Sequence, residues 1–325
     1  MGQATTTSSD KVATRDAYGK ALVEVGQKNP KVVVLDADLS GSTKTIGFSK
    51  AFPERFFNMG VSEQDMMGTA AGLALAGKIP FASSFAMFAT GRAFEIVRNS
   101  IVYPHLPVKI CASHAGLTVG EDGASHQTVA DIAIMRVLPG MTVIVPADAI
   151  ETKQVIHAVA DFPGPVYVRL SRAAFPVFLG EDYKFQIGKA VEIHEGNDIA
   201  IVACGLMVYQ ALKAAEILEK QGVKASVVNM ATVKPLDGEM LAKLAKRTGC
   251  ILTVEEHSVM GGLGSAVAEY LAEEGDVVVH RHGIMDEFGQ SGPADALLKL
   301  YKLMPEDIAD QALATLKKKS NRKPA

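Results

Sequence analysis

Glu63 stands at the head of GVSEQDMMGTAAGLALAG (60–77), where an acid opens a run of Gly and Ala with helical spacing. Two roles suit it. It can complement the positive end of the helix dipole. It can also handle a proton where a second backbone closes on the small residues Gly68, Ala70, Ala71, Gly72 and Ala74. A second concentration is ASHAGLTVGEDGASHQ (112–127), a strand end running into a Gly-rich loop that carries His114, Glu121, Asp122 and His126. Binding groups of α/β sheets gather beyond the carboxyl ends of strands, although a solvated loop with two ordinary histidines reads the same way. No Cys or His pair has close ligand spacing, so metal binding is the weaker variant and no residue is assigned to a metal. FASSFAMFATGRAFEIVRN (81–99) holds Phe81, Phe85, Phe88 and Phe94, from a chain with 13 Phe and no Trp. Phe85 and Phe88, three apart, share one helix face as core packing or as a wall for a flat heterocycle. The glycines of GGLGSAVAEYL (261–271) form neither GxGxxG nor a P-loop, and read as a turn that starts a helix and lets a loop pass close by.

These residues must be positioned by regular elements. KVVVLDAD (31–38), IPFASSF (79–85), VKICAS (108–113), MTVIVPAD (141–148) and PVYVRLS (165–171) are nearly continuous apolar runs, the pattern of buried parallel strands. Helical spacing occupies 14–27, 62–76, 88–102 and 150–160 between them. Pro176 to Asp198 breaks the rhythm with Gly180, Gly188 and many charges. A second series follows, with strands at 198–205, 223–230, 250–256 and 276–283 and helices at 207–221, 238–247 and 263–274. Such alternation predicts an α/β protein of two doubly wound domains with mainly parallel sheets. The expected division is a tail over 1–10, a domain over 11–178, a linker over 179–194, a domain over 195–316 and a basic tail over 317–325.

Composition narrows the function. The chain has 325 residues, 48% hydrophobic and 21% charged, with a formal charge of −3. That suits two folded domains at about 100–200 residues each, and supplies no basic field for nucleic acid. Lys317, Lys318, Lys319, Arg322 and Lys323 cluster in a Ser/Asn/Pro end that reads as solvated. Charge-free apolar stretches are short: Met66 to Gly77 is 12 residues and the longest, Ile199 to Leu212, is 14, against the roughly 20 that a membrane-spanning helix needs. Cys111, Cys204 and Cys250 are odd in number and set in apolar runs, the mark of buried free thiols in a reducing compartment. The polar start, MGQATTTSSDKV, lacks the apolar centre of a secretion signal, so a cytoplasmic location is expected.

Taken in order, ATRDAYG, LDADLSGSTKT, GVSEQD, SSFAMFATGRA, SHAGLTVGEDGASHQ and RLSR resemble six successive segments of the carboxyl-terminal half of transketolase, over roughly residues 11–315. GVSEQ joined to the histidines and acid at 114, 122 and 126 is the specific part. The resemblance implies the pyrimidine-binding and C-terminal domains of a thiamine diphosphate enzyme. The GDG motif of the diphosphate-binding domain is missing from the sequence. The chain therefore resembles one subunit of a split transketolase, active only with an N-terminal subunit that holds the diphosphate and its Mg²⁺ or Ca²⁺. Self-association across a two-fold axis, as α₂β₂, is implied as well. The implied reaction moves a two-carbon ketol unit from a ketose phosphate to an aldose phosphate.

The resemblance also implies roles. Glu63 matches the acid on N1′ of the aminopyrimidine, Phe85 and Phe88 the wall packed on that ring, Asp38 an acid near the cofactor and Val61 a support for its bent shape. A tyrosine common in the family is Gly91 here. Arg15, Ser42, His114 and Arg172 match the grip on the sugar phosphate. Asp122 matches the reader of a substrate hydroxyl, and His126 a catalytic group bonding the donor near its reacting carbons. A 1-deoxyxylulose-5-phosphate synthase shares the Glu and the DG-x-x-HQ text, and a 2-oxo acid dehydrogenase β subunit shares the two-domain plan. His114 and the segment from Asp38 to Ser42 favour transketolase over the first, and Arg15 with Arg172 over the second. A non-catalytic scaffold of the same fold is the remaining alternative.

Overall fold

The computed structural model of the chain describes residues 10–274 and 277–321. Its first sheet runs, in spatial order, Thr232–Lys234, Thr142–Ile144, Val166–Arg169, Lys109–Ala112, Ile79–Ser83, Val32–Asp36 and Phe56–Asn58. Every neighbouring pair is parallel except the first. The second sheet runs Val278–Ile284, Cys250–Ser258, Ile199–Ala203, Ala225–Asn229 and Val191–His194, and only its last pair is antiparallel. This is the α/β architecture with mainly parallel sheets that the apolar runs predict. Helices cover both faces of such sheets, which is why Val32, Val34, Ile110, Val168, Ile201 and Val227 are all buried and no polar alternation shows.

Helices Thr14–Lys28, Glu63–Leu75, Ala149–Asp161, Met207–Glu219, Gly238–Thr248 and Leu263–Glu274 occupy the segments with helical spacing. The stretch 88–102 is also helical, but two wide π turns, Phe88–Arg92 and Val97–Val102, flank the short α turn Phe94–Ile96. Such widened turns often occur at functional sites.

Three segments depart from expectation. Thr232–Lys234, read between two second-series elements, crosses over to extend the first sheet beside Thr142–Ile144. Three residues are too short for any periodicity to show. Val191–His194 falls in the expected linker yet forms an edge strand, with Ile193 buried. Its charges mask it in sequence, and Glu192 is held there by Arg247 and Ser226. Lys317, Lys318 and Lys319 are exposed, as a solvated end would be, but they are helical. They form the last turn of helix Pro305–Ser320, where cations suit the dipole, and Lys319 Nζ donates to Thr248 O at 2.7 Å. Arg322 and Lys323 lie outside the described residues, as does the tail expected over 1–10 apart from Asp10.

The two series share a core. Met135, Val143 and Val145 of the first pack in one apolar cluster with Val202, Val228 and Leu263 of the second. Cys111, Cys204 and Cys250 are buried and unpaired. Among the described residues no helix is long and apolar enough to cross a membrane.

Candidate active site

Glu63 begins its helix and is only 1% exposed. An acid so buried needs a partner, and Arg92 supplies one, with Nη1 donating to Oε2 at 2.9 Å. The same guanidinium lies 5.1 Å from the centre of the Phe88 ring. Phe88 stacks on Phe85 with ring centres 6.1 Å apart and planes 17° apart. Phe85 follows strand Ile79–Ser83 and bridges to Ser113, at the carboxyl ends of the parallel strands. Its other neighbour is His114, stacked at 3.7 Å, and His126 meets both rings edge-on at 6.2 and 5.3 Å. Fold and sequence thus bring Glu63, Phe85, Phe88, His114 and His126 into one chain of contacts. Phe81 is core, and Phe94 packs against the core from a half-buried position.

A second chain of contacts adjoins at His114. Arg15 Nη1 donates to Ser42 O at 3.0 Å and lies 3.2 Å from His114 Nε2, while His114 Nδ1 is 2.8 Å from Ser113 Oγ. Burial first, then the charges of Arg15, Arg172, His126 and Lys44, hold the His114 imidazole down to about 3. The ring is therefore neutral. Arginine only donates, so Nε2 accepts from it and Nδ1 carries the proton toward Ser113. Burial lowers Arg15 too, with Arg172 adding to the effect, and Arg15 Nε is buried without a partner. Arg172 Nη1 donates to Val119 O and to Glu121 Oε2. Lys44 pairs with Asp16 at 3.2 Å. The result is a pocket of cations around a neutral histidine, with an unused donor, suited to a terminal anion.

Strain marks the same place. His114 at φ 59° and Lys44 at φ 71° hold left-handed backbone that non-glycine residues rarely adopt. Lys44 is pinned against Gly19, where an added Cβ would lie 2.6 Å from the Lys44 Cβ. Beneath the segment, the fully buried Asp36 accepts from Leu39 N at 2.6 Å, Thr43 Oγ1 at 2.6 Å and Thr45 Oγ1 at 2.8 Å.

The other expected residues are less engaged. Asp38, exposed at φ 62°, accepts from Asn58 Nδ2 at 2.9 Å, and Asp122 is exposed on its loop. Val61 is 73% exposed, two residues before Glu63. The small-residue face divides: Ala70, Ala71 and Ala74 are buried in the chain's own core, whereas Gly68 and Gly72 face outward with nothing within 4 Å of an added Cβ. Sequence reading passed over Arg92, Lys44 and Asp36. Lys44 lies in LDADLSGSTKT and Arg92 in SSFAMFATGRA, and only their contacts distinguish them from surface charges.

In the second series, the glycines after Cys250–Ser258 do start a helix. Glu255 accepts from Leu263 N and Gly264 N, both at 2.7 Å, and so occupies the donors a phosphate would need. His257 is buried, with Nδ1 donating to Ser258 O at 2.7 Å. Among the described residues no three His, Cys, Asp or Glu side chains are grouped to hold a metal.

Residues 10–177 match the family model described as the transketolase pyrimidine binding domain, and residues 188–308 that of the transketolase C-terminal domain. A chain of Methanocaldococcus jannaschii named for the C-terminal section of transketolase is 53% identical, over 94% of this chain and 96% of that one. The 6-deoxy-6-sulfo-D-fructose transketolase subunit of Clostridium sp. (strain MSTE9) is 41% identical, over 95% and 96%. A solved structure described as a split-gene transketolase in an inactive beta4 tetramer is 56% identical, with a TM-score of 0.89 over 94% of this chain and 99% of that one.

Proposed function

Because this chain belongs to the transketolase family, we propose that it is the C-terminal subunit of a split transketolase. On this reading it transfers a two-carbon ketol unit from a ketose phosphate to an aldose phosphate, completed by an N-terminal partner subunit. Residues 11–178 and 195–316 are then its pyrimidine-binding and C-terminal domains. The observation that carries the reading is the buried Glu63 carboxylate, joined through Arg92 to the Phe85–Phe88 pair, within one run of contacts from the Arg15–His114 cluster.

These residues fit one end of thiamine diphosphate. A desolvated acid linked through Arg92 to an aromatic pair, with the exposed apolar Val61 two residues away, suits a flat basic heterocycle. When bound, the cofactor supplies a carbon nucleophile and an electron sink. Glu63 holds a proton at N1′ of the pyrimidine, the position from which an acid activates the adjoining amino group. Phe85 and Phe88 would orient the ring and exclude water, and Val61 and Asp38 would help to hold the cofactor. Arg15, Arg172, Ser42 and His114 grip the terminal anion of the sugar. Asp122 reads a hydroxyl and His126 bonds the donor near its reacting carbons. The diphosphate and its Mg²⁺ or Ca²⁺ fall to the partner subunit, in an α₂β₂ assembly.

The cation cluster favours phosphorylated sugars over plain 2-oxo acids, because the single carboxylate of a 2-oxo acid adjoins its reacting carbonyl and offers no distal anion to cations that are costly to leave unpaired. The Clostridium relative is named for a sulfonated ketose, which carries an anion too, and the split-gene beta4 tetramer is described as inactive. Reconstitution tests the proposal. The purified chain is mixed with an N-terminal partner subunit, thiamine diphosphate and Mg²⁺, and assayed with xylulose 5-phosphate and ribose 5-phosphate. Activity in the mixture and in neither part alone is the expected result. Full activity of this chain alone, or an inert mixture whose partner binds the cofactor, overturns it.

A further inference from the structure

The loop that carries His114, Asp122 and His126 does not stand by itself. Glu256, on strand Cys250–Ser258 of the second series, reaches beneath it. Its carboxylate is 3% exposed, and Oε1 accepts from Thr118 N at 2.6 Å. Oε2 is buried without a hydrogen-bond partner, 4.0 Å from Arg169 Nη1. Arg169 is itself fixed, donating from Nε to Asp131 Oδ2 at 2.7 Å and from Nη2 to Glu256 O at 3.0 Å. Gly116 must be glycine on two counts: its φ is +81°, and an added Cβ would collide with the Glu256 carboxylate. Beyond Thr118, Val119 O takes the Arg172 guanidinium. Two further contacts tie the loop to the second series, Ser291 Oγ donating to Glu121 O at 2.6 Å and Gln127 Nε2 donating to Gln290 O at 3.0 Å.

A buried acid is expensive to keep unless it does something for its neighbours. This one spends its good hydrogen bond on a single amide in a turn whose next carbonyl sets where Arg172 lies. We propose that Glu256 is a positioning residue of the C-terminal domain, anchoring the 116–120 turn through Thr118 N so that Val119 O holds Arg172 toward the substrate anion. The inference rests on the transketolase reading above, since it assigns Arg172 to a phosphate. It gives the C-terminal domain a part in substrate recognition without contact with substrate.

Reach and charge can be separated. Glu256→Asp keeps the charge beside Arg169 but draws the carboxylate back by one methylene from Thr118. Glu256→Gln gives up the charge and keeps an acceptor oxygen at full reach. The reconstituted enzyme is assayed with ribose 5-phosphate and with unphosphorylated glycolaldehyde as acceptors. Glu256→Asp is expected to raise KM for the phosphorylated acceptor about tenfold, a loss of the order of one hydrogen bond to a charged group. KM for glycolaldehyde and the saturating rate should move less than about twofold, and Glu256→Gln should match the parent on both acceptors. Arg172→Ala combined with Glu256→Asp should be no worse than Arg172→Ala alone, because both act on one contact. Equal losses on both acceptors, a larger defect in Glu256→Gln than in Glu256→Asp, or additive effects would each overturn the proposal. If Arg172→Ala alone fails to discriminate the acceptors, it is the phosphate assignment that fails. Should Glu256→Asp not fold, hydrogen exchange decides on the Gln variant: a Thr118 amide exchanging at the parent rate supports the anchor, and a deprotected one sinks it.

Discussion

Glu63 and Arg92 form an ion pair across the candidate site, 2.9 Å from Oε2 to Nη1, between a carboxylate 1% exposed and a guanidinium 52% exposed. The burial is one-sided, so the two residues are not equivalent. Removing the arginine strands a desolvated charge, whereas neutralising the acid leaves a cation that water can reach. Arg92→Ala should therefore cost on the order of 1–3 kcal/mol of stability in urea unfolding, and much less when Glu63→Gln is already present. Equal cost in both backgrounds would mean that the pair contributes nothing.

For catalysis the order reverses. Glu63→Gln keeps the size and burial of the side chain, so fold and assembly should survive. If Glu63 holds the pyrimidine proton, activity of the reconstituted enzyme falls by roughly 10²–10⁴, the usual range for a positioned acid or base. Deuterium exchange at C2 of the thiazolium is the direct readout. Exchange at the parent rate in the Gln variant would remove Glu63 from the mechanism.

The two phenylalanines should separate stability from binding. Phe85 is 8% exposed and stacked on His114 at 3.7 Å, and Phe88 is half-buried at the rim. Phe85→Ala should cost about 3–5 kcal/mol of stability, as large core truncations do. Phe88→Ala should leave stability nearly unchanged and weaken thiamine diphosphate binding about three- to tenfold, in line with one lost aromatic contact. Calorimetric titration of the reconstituted complex measures the second. Unaltered cofactor affinity in Phe88→Ala would make its stacking a packing feature alone.

Arg172 tests the anion pocket. Its guanidinium is partly exposed, tied to Val119 O and to the exposed Glu121, so Arg172→Ala should fold. KM for ribose 5-phosphate should rise about ten- to hundredfold, as for a lost hydrogen bond to a charged group, while KM for glycolaldehyde stays within about twofold of the parent. Parallel rises for both acceptors would argue that Arg172 holds only its own loop.

The legible and illegible parts of this protein differ by the range of the interaction that makes them. Val32, Ile110 and Val168 announce buried parallel strands because both faces of each strand are covered, and the apolar run follows. The helix that Glu63 opens is equally local, set by small residues and an acid at its first turn. Lys44 and Arg92 are different. Nothing near Lys44 in sequence says that Gly19 will receive its backbone, and nothing near Arg92 says that Glu63, 29 residues away, will be its partner. Thr232–Lys234 is hidden for the same reason: its strand character comes from the edge of Thr142–Ile144, which belongs to the other series. Glu63, Phe85, Phe88, His114, Asp122 and His126 stand out by type and spacing, whereas Arg15, Asp38, Ser42, Val61 and Arg172 emerge only through the resemblance. Those that hold them in place could be found only once the chain had folded.

Acid titration offers the last test, through Glu256. Burial pushes its carboxyl up to about 7 from 4.5, opposed first by Arg169 and then by Thr118. A carboxyl with a raised folded value binds more protons folded than unfolded between those two pH values, so stability falls as pH rises through that window. The contribution is fully present below about pH 4.5 and is lost as pH climbs through about 7. Glu151 and Glu255, also raised to about 7 by burial, behave alike, and His114, lowered to about 3, acts in the opposite sense as pH falls. Those groups titrate in parent and variant together, so the difference between the parent and Glu256→Gln isolates one carboxyl. The Gln side chain has no proton to lose. Its melting temperature should therefore gain on the parent between pH 5 and pH 8, by on the order of a few degrees for a chain of this size. Melting curves that stay parallel across that range would mean that Glu256 ionises as freely as an exposed glutamate, despite lying under the loop with one oxygen unpaired.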